Sequence, residues 1–307
     1  MIDHVPAPVT CFADHTIHES RKELHAHLRT LKVKQETYYT TYERRLCRST
    51  GQPIPFKDWE QYLSTDFIDK NALKAWIKAN PIEGRAYAYE LIRRRIEDKG
   101  ITWVPCEVEL KSLGLPRVKY YQADGHYNED AAKLGLKPRF DYGVRPVVDL
   151  TERTIIQDTR EQKGLKFDGT VEDKLVYADY ALKDNPLVAV ERKSLTDLIG
   201  TMMSGYERFE REVQRAEEVG GYIVILCESP LDQALSFDYL PHIKRHTKVK
   251  PQVVFHNVRQ LIQRYGMVQF AFCDGREHME KTIRAVLNWG DKVRRYDLQH
   301  LIGEGVI

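Results

Sequence analysis

The chain has 307 residues, 42% hydrophobic and 30% charged, so it can bury a sizeable core and form one large domain or two ordinary ones. Lysine and arginine number 47 against 45 acidic residues, a formal net charge of +2; the whole is no polycation, and any nucleic-acid surface has to be a local patch. Apolar runs such as Tyr222–Cys227 fall far short of the roughly 20 residues of a membrane helix, no basic-then-apolar leader opens the chain, and five scattered cysteines without a C-x-x-C pair argue against a disulfide scaffold and suit a reducing cytoplasm.

Residues 1 to about 17 read as a loose, Pro-containing arm. From Ser20 to about Tyr42, Leu24, Leu28 and Leu31 recur at helical spacing with Lys and Arg between them. Tyr38, Tyr39 and Tyr42 read as packing residues of that helix. Thr50-Gly51-Gln52-Pro53 breaks the pattern. Asn71–Ile77 and Ala86–Asp98 read as two more helices, stopped by Asn80-Pro81 and by Gly100. Residues 1–100 are thus expected to be a mostly helical N-terminal region. It carries a basic excess and is a candidate for binding DNA or a partner. Residues 101–150, punctuated by Gly114, Pro116, Gly125, Gly135, Pro138, Gly143 and Pro146, read as a connector with short local elements.

After residue 150 the texture changes. Strands are predicted at Thr154–Gln157, Lys174–Leu182, Leu187–Glu191, Tyr222–Leu226 and Val268–Phe272. Helices are predicted from Leu195, over Tyr206–Val219, over Val254–Tyr265 and over Glu277–Leu287. That order predicts an α/β domain over 151–290, a mixed central sheet flanked by helices, followed by a tail at 291–307. The last helix can complete the core or supply a homodimer face.

Acidic residues gather at the ends of these strands. Asp158 follows the first. Asp179 lies within the second, among Val176, Tyr177, Ala178, Tyr180, Ala181 and Leu182. Glu191 and Lys193 close the third and, two apart, share a face. Each residue alone has a plain alternative, a solvated side chain at a sheet edge. A carboxylate inside an apolar run is costly, however, unless it is paired or coordinated. If the second and third strands form a hairpin, Asp179 and Glu191 converge and repel unless a cation sits between them. Hard oxygen ligands suit Mg²⁺ or Mn²⁺, and a lysine beside such an ion can orient water and stabilise charge on a phosphate. This is the chemistry of metal-assisted phosphodiester hydrolysis.

The run Ala178-Asp179, an eleven-residue spacer, then Glu191-Arg192-Lys193-Ser194-Leu195-Thr196-Asp197 resembles the nuclease domain of XPF-family structure-specific endonucleases. That domain belongs to the restriction-endonuclease-like superfamily, and its pattern is Gly-Asp, a variable spacer, Glu-Arg-Lys and an Asp four residues past the Lys. The likeness spans about residues 152–290. It departs from the family at Ala178, where the family usually has Gly, and in the short stretch after Gly290, where members commonly carry helix-hairpin-helix elements. The resemblance implies Asp179 and Glu191 as metal ligands, with Asp158 completing the acidic site, and Lys193 as the catalytic lysine. It implies that Arg160 and Glu161 order the site or contact the phosphate, and that Arg192 and Asp197 support it, Asp197 at a helix start. It also implies a divalent-metal-dependent DNA endonuclease, selective for branched, flap or fork DNA, in repair, recombination or replication. A non-catalytic DNA-binding scaffold on the same fold is the alternative; an RNA- or nucleotide-directed hydrolase is a third.

Candidate DNA contacts are Arg208 and Arg211 on the long helix, and Lys244, Arg245, Lys248 and Lys250 in the basic stretch His242–Lys250, read as an exposed loop. The triplet Arg93-Arg94-Arg95 wraps round its helix instead of forming a stripe. Cys11, His15, His18, His25 and His27 make a degenerate match to a zinc-finger helix, lacking a second ligand pair.

Overall fold

The computed structural model describes residues 9–10, 17–18, 21–30, 102–113, 115, 117–121, 127–133, 135–161, 164–165, 167–237, 239–240, 245–246 and 249–307. The chain forms two compact units, Met1–Lys99 and Gly100–Ile307.

In the first unit, β1 (Val9–Thr10) pairs antiparallel with β2 (Ile17–His18), so part of the expected arm is a small ladder. Helix α1 (Arg21–Thr30) follows. Leu24 and Leu28, four apart and therefore on one face, are buried. Leu31–Tyr42, Asn71–Ile77 and Ala86–Asp98 lie outside the described residues, as do Cys11 and His15. The His18 and His27 rings lie 4.7 Å apart between centroids. Among the described residues, no three His, Cys, Asp or Glu side chains are grouped to hold a metal ion.

The second unit begins with α2 (Glu107–Ser112), a 3-10 turn at Val118–Tyr120 and α3 (Tyr127–Lys133). Strands β3 (Ile155–Asp158), β4 (Val171–Asp173), β5 (Tyr180–Leu182) and β6 (Asn185–Lys193) come next, then helices α4 (Leu195–Met202) and α5 (Tyr206–Glu218). The order continues with β7 (Tyr222–Cys227), α6 (Leu231–Ala234) and a two-strand ladder of β8 (Tyr239–Leu240) and β9 (Arg245–His246). It ends with α7 (Pro251–Arg264), β10 (Val268–Phe272), α8 (Arg276–Trp289) and α9 (Leu298–Gly303).

Six strands form one mixed sheet in the order β10-β7-β6-β5-β3-β4. The β10, β7 and β6 strands are parallel, β5 is antiparallel to both β6 and β3, and β4 is parallel to β3. Every residue of β7 and β10 is buried, as expected of parallel strands covered on both faces, which read as continuous apolar runs. The apolar stripe of α5, Phe209, Val213 and Ala216, is buried too. This is the expected α/β architecture with a mixed central sheet and flanking helices. Among the described residues, no helix is long and apolar enough to cross a membrane.

Three expectations change. The strand expected at Lys174–Leu182 is only Tyr180–Leu182, because Val176–Asp179 bends away before the ladder begins. Residues 101–150, expected as a connector, belong to the same unit: Val108 and Phe140 join the main core, and Val104 and Lys137 exchange backbone hydrogen bonds with the segment facing them. The expected tail at 291–307 carries α9, whose Leu298 and Leu301 are buried, while Gln299 accepts the N–H of Phe272 at the end of β10. The apolar face of α8, including Met279, Ile283, Val286 and Trp289, is buried in the unit's own core.

Candidate active site

Glu191 and Lys193 lie on one face of β6, near its C-terminal end, and their side chains form an ion pair, 7% and 16% exposed. The Lys193 ammonium also stands 5.6 Å from the centre of the Phe209 ring on α5, which identifies the face that this helix covers. On the neighbouring strand, the pair Tyr180↔Val190 puts Asp179 one step earlier, beside Glu191. Asp179 is held three ways. Its N–H donates to the Val190 carbonyl at 3.1 Å, its carbonyl accepts the Asp158 N–H at 2.8 Å, and its Oδ2 accepts the Arg192 N–H at 2.8 Å.

The residue before it explains why the strand breaks. Ala178 has φ 61°, the one non-glycine with positive φ among the described residues; for an L-residue with a Cβ this costs ~1–2 kcal/mol. Its N–H donates to Glu212 Oε1 of α5 at 3.2 Å. The left-handed turn redirects the chain so that a carboxylate, not a backbone ladder, meets Glu191.

The charges do not balance. Burial and the nearby Glu191 charge push the Asp179 carboxyl up to about 8. Burial also raises Glu191, against Lys193, with Glu212 and Glu161 adding to the rise. For Lys193 burial works downward, yet Glu191, Asp179 and Glu212 more than offset it and the net shift is upward. Each acid keeps an oxygen, Asp179 Oδ1, Glu191 Oε2 and Glu212 Oε2, that accepts no hydrogen bond from a described residue.

Residues on the other face of β6 are balanced. The Arg192 guanidinium lies between Glu161 at 3.1 Å and Glu228 at 2.9 Å, and their charges hold it above its ordinary proton affinity although burial opposes them. Glu228 also pairs with Arg276 of α8 at 3.0 Å, and Arg276 reaches the Gly164 carbonyl at 3.0 Å. This network ties β6, β7, α8 and the loop after β3 together.

The other expected residues fall elsewhere. Asp158 is 1% exposed and has both oxygens engaged: Oδ1 by the Arg160 N–H and Nε at 2.8 and 2.6 Å, Oδ2 by Arg160 Nη2 and the Leu175 N–H at 2.9 and 2.7 Å. These donors, Arg160's side chain foremost, override burial and hold its carboxyl below the usual range. Four accepted bonds use the lone pairs of a carboxylate, so Asp158 organises the turn and has none left for an ion. Asp197 is exposed at the start of α4, where the Ser194 hydroxyl donates to its Oδ2 at 2.6 Å and accepts its N–H at 3.2 Å, a local helix cap. Arg208 and Arg211 are exposed on α5, and Lys250, just ahead of α7, is exposed as well. Lys244 and Lys248 lie outside the described residues; Arg245 lies in β9, where a bare loop was expected.

Glu212 was not singled out by the sequence, because Glu207, Glu210 and Glu212 look alike in an exposed charged helix. Its position offered a signal: it sits three residues after Phe209 and one before Val213, at the margin of the buried stripe.

Among the described residues no group of three potential ligands forms a ready-made cage. Mg²⁺, however, commonly takes only one or two protein carboxylates, with water and substrate phosphate supplying the rest. Free oxygens on Asp179 and Glu191, both strained toward protonation, fit that demand, and the Lys193 ammonium already stands against Glu191.

Residues 148–278 match the model of the ERCC4 domain. This region has the sequence pattern of an ERCC4 domain. It contains all of the site just described, from Asp158 to Arg276, and the unit extends the ERCC4 domain on both sides, with α2 and α3 before it and α9 after it. Solved structures that are similar include XPF from Aeropyrum pernix, 17% identical, covering 49% of this chain and 73% of that one with a TM-score of 0.35. The same protein in complex with DNA is 17% identical, covering 46% of this chain and 66% of that one, TM-score 0.35. No curated protein sequence matches significantly.

Proposed function

We propose that the ERCC4 domain of this chain is a divalent-metal-dependent DNA endonuclease. The observation that carries the reading is the crowding of Asp179 and Glu191 beside Lys193, with an unused oxygen on each acid. Acids this close must either hold a proton or gather a cation, and a divalent ion would serve both at once. Asp179 and Glu191 would hold Mg²⁺ or Mn²⁺, which supplies Lewis-acid stabilisation of the phosphate and a more acidic water. Lys193 orients the attacking water and donates to a phosphate oxygen as charge develops there. Arg192 fixes the strand through Glu161 and Glu228, and its N–H keeps Asp179 turned toward Glu191. The products are a 5′-phosphate and a 3′-hydroxyl.

Duplex with single-strand junctions, a flap or a fork, is the proposed substrate, engaged by the exposed Arg208, Arg211 and Lys250 and by Lys244, Arg245 and Lys248. The pathways proposed are repair, recombination or replication. Purified chain with Mg²⁺ and end-labelled fork, flap, junction and linear DNAs tests the reading. Cutting that stops in D179A supports it; equal cutting by wild type and D179A ends it, and binding without cutting leaves a DNA-binding scaffold.

A further inference from the structure

Left-handed backbone is the province of glycine, because a Cβ at positive φ meets the following carbonyl. Here an alanine occupies it, at φ 61°, immediately before the carboxylate on which the proposed site depends. Such a turn persists only where neighbouring groups over-determine it. Its N–H would ordinarily enter the β5 ladder; instead it crosses to α5 and finds Glu212 Oε1 at 3.2 Å. Other acids of α5 are placed differently: Glu210 pairs with Arg264 and Tyr265, and Glu207 is exposed. Glu212 is half-buried at the margin of the Phe209–Val213–Ala216 stripe.

We infer that Glu212 is a positioning residue for the acidic site: by accepting the Ala178 N–H it holds the left-handed turn that presents Asp179 to Glu191, a turn that glycine at 178 would adopt unaided. The inference rests on the metal-dependent reading above for its consequence, and on geometry for its cause. A carboxylate is not required for the role, only an oxygen in that place, so the amide of glutamine serves equally. Loss of the oxygen lets Ala178 relax to negative φ and carries Asp179 away from its partner.

The test compares wild type, E212A, E212Q, A178G and the double variant A178G/E212A. Two quantities are read: the Mg²⁺ concentration that gives half-maximal cleavage of a fork DNA, and Mn²⁺ binding by calorimetry without DNA. E212A should weaken both about tenfold, the scale of losing a group that orients a metal ligand. E212Q should stay within about twofold of wild type, and A178G should erase the E212A defect. A merely structural Glu212 would lower the melting temperature while leaving the metal dependence in place. Unchanged metal dependence in E212A overturns the inference, and so does an E212A defect that neither glutamine nor glycine repairs. If E212A does not fold, the double variant decides: wild-type Mn²⁺ binding supports the inference and failure to fold overturns it. Should wild type not cleave DNA at all, the nuclease reading fails, while the calorimetric series still judges Glu212.

Discussion

Glu107, Glu109 and Asp297 are as deeply buried as Glu191, yet all six of their carboxylate oxygens accept hydrogen bonds. Arg117 and the Val118 N–H serve Glu107; the Cys106 N–H and Gln263 serve Glu109; the Glu107 N–H, the Tyr142 hydroxyl and the His300 N–H serve Asp297. Asp179 and Glu191 form the other group, and each leaves an oxygen without a donor among the described residues while repelling the other. Burial raises Glu107 and Glu109 as well, so a raised carboxyl does not by itself mark a site. Donor supply separates the groups: the first fastens α2 to α7 and to the start of α9, and the second is left short of positive charge.

The sharpest way to break this contrast is to remove the cation paired with Glu191. K193A should lower the cleavage rate of the folded protein by about 10²–10⁴-fold, beyond the loss of stability that leaving Glu191 unpaired brings, measured on a fork DNA alongside thermal melting. The first group should behave in the opposite sense. D297A strands three donors, one buried and two part-buried, and should cost about 3 kcal/mol in urea unfolding, with the cleavage rate of the folded fraction unchanged.

The Asp179 carboxyl sharpens the contrast through pH. Its proton affinity rises from an ordinary 3.8 to about 8 in the metal-free fold. The folded state therefore binds a proton that the unfolded chain has released, and this position's contribution to stability falls as pH rises between those values, then levels off. Replacing the acid by its amide removes that penalty. In chelator, D179N should melt higher than wild type, by an increment that grows from about pH 4 to about pH 8 and reaches several degrees, although the variant is inactive. A pH-independent difference would place Asp179 with the satisfied acids. The smallest effect belongs to the surface: R208A and R211A should each weaken DNA binding modestly and reduce the slope of log affinity against log salt by about 1.

Much of the ERCC4 domain was legible because its parallel strands are buried on both faces. Tyr222–Cys227 and Val268–Phe272 carry no polar residue except Gln269, which bonds Tyr222 from within the core. The Asp179, Glu191 and Lys193 set was legible because charges interrupt apolar runs there. Strand β4 was not: Val171–Asp173 is exposed at all three residues and has no alternation to betray it. The docking of α2 was hidden for the opposite reason, since Glu107 and Glu109 are charges in core positions, satisfied by partners up to 154 residues away. The turn at Ala178 and its partner Glu212 depend on a contact between a strand end and a helix, which no local pattern in either segment specifies.

Calorimetric titration of Mn²⁺ into wild type and D179N, without DNA, tests the central claim most directly. A site in wild type that D179N loses, accompanied by a metal-dependent rise in melting temperature in wild type alone, is the predicted result. Identical titrations for the two proteins would contradict the account, because a cation would then be ignoring the acids said to need it.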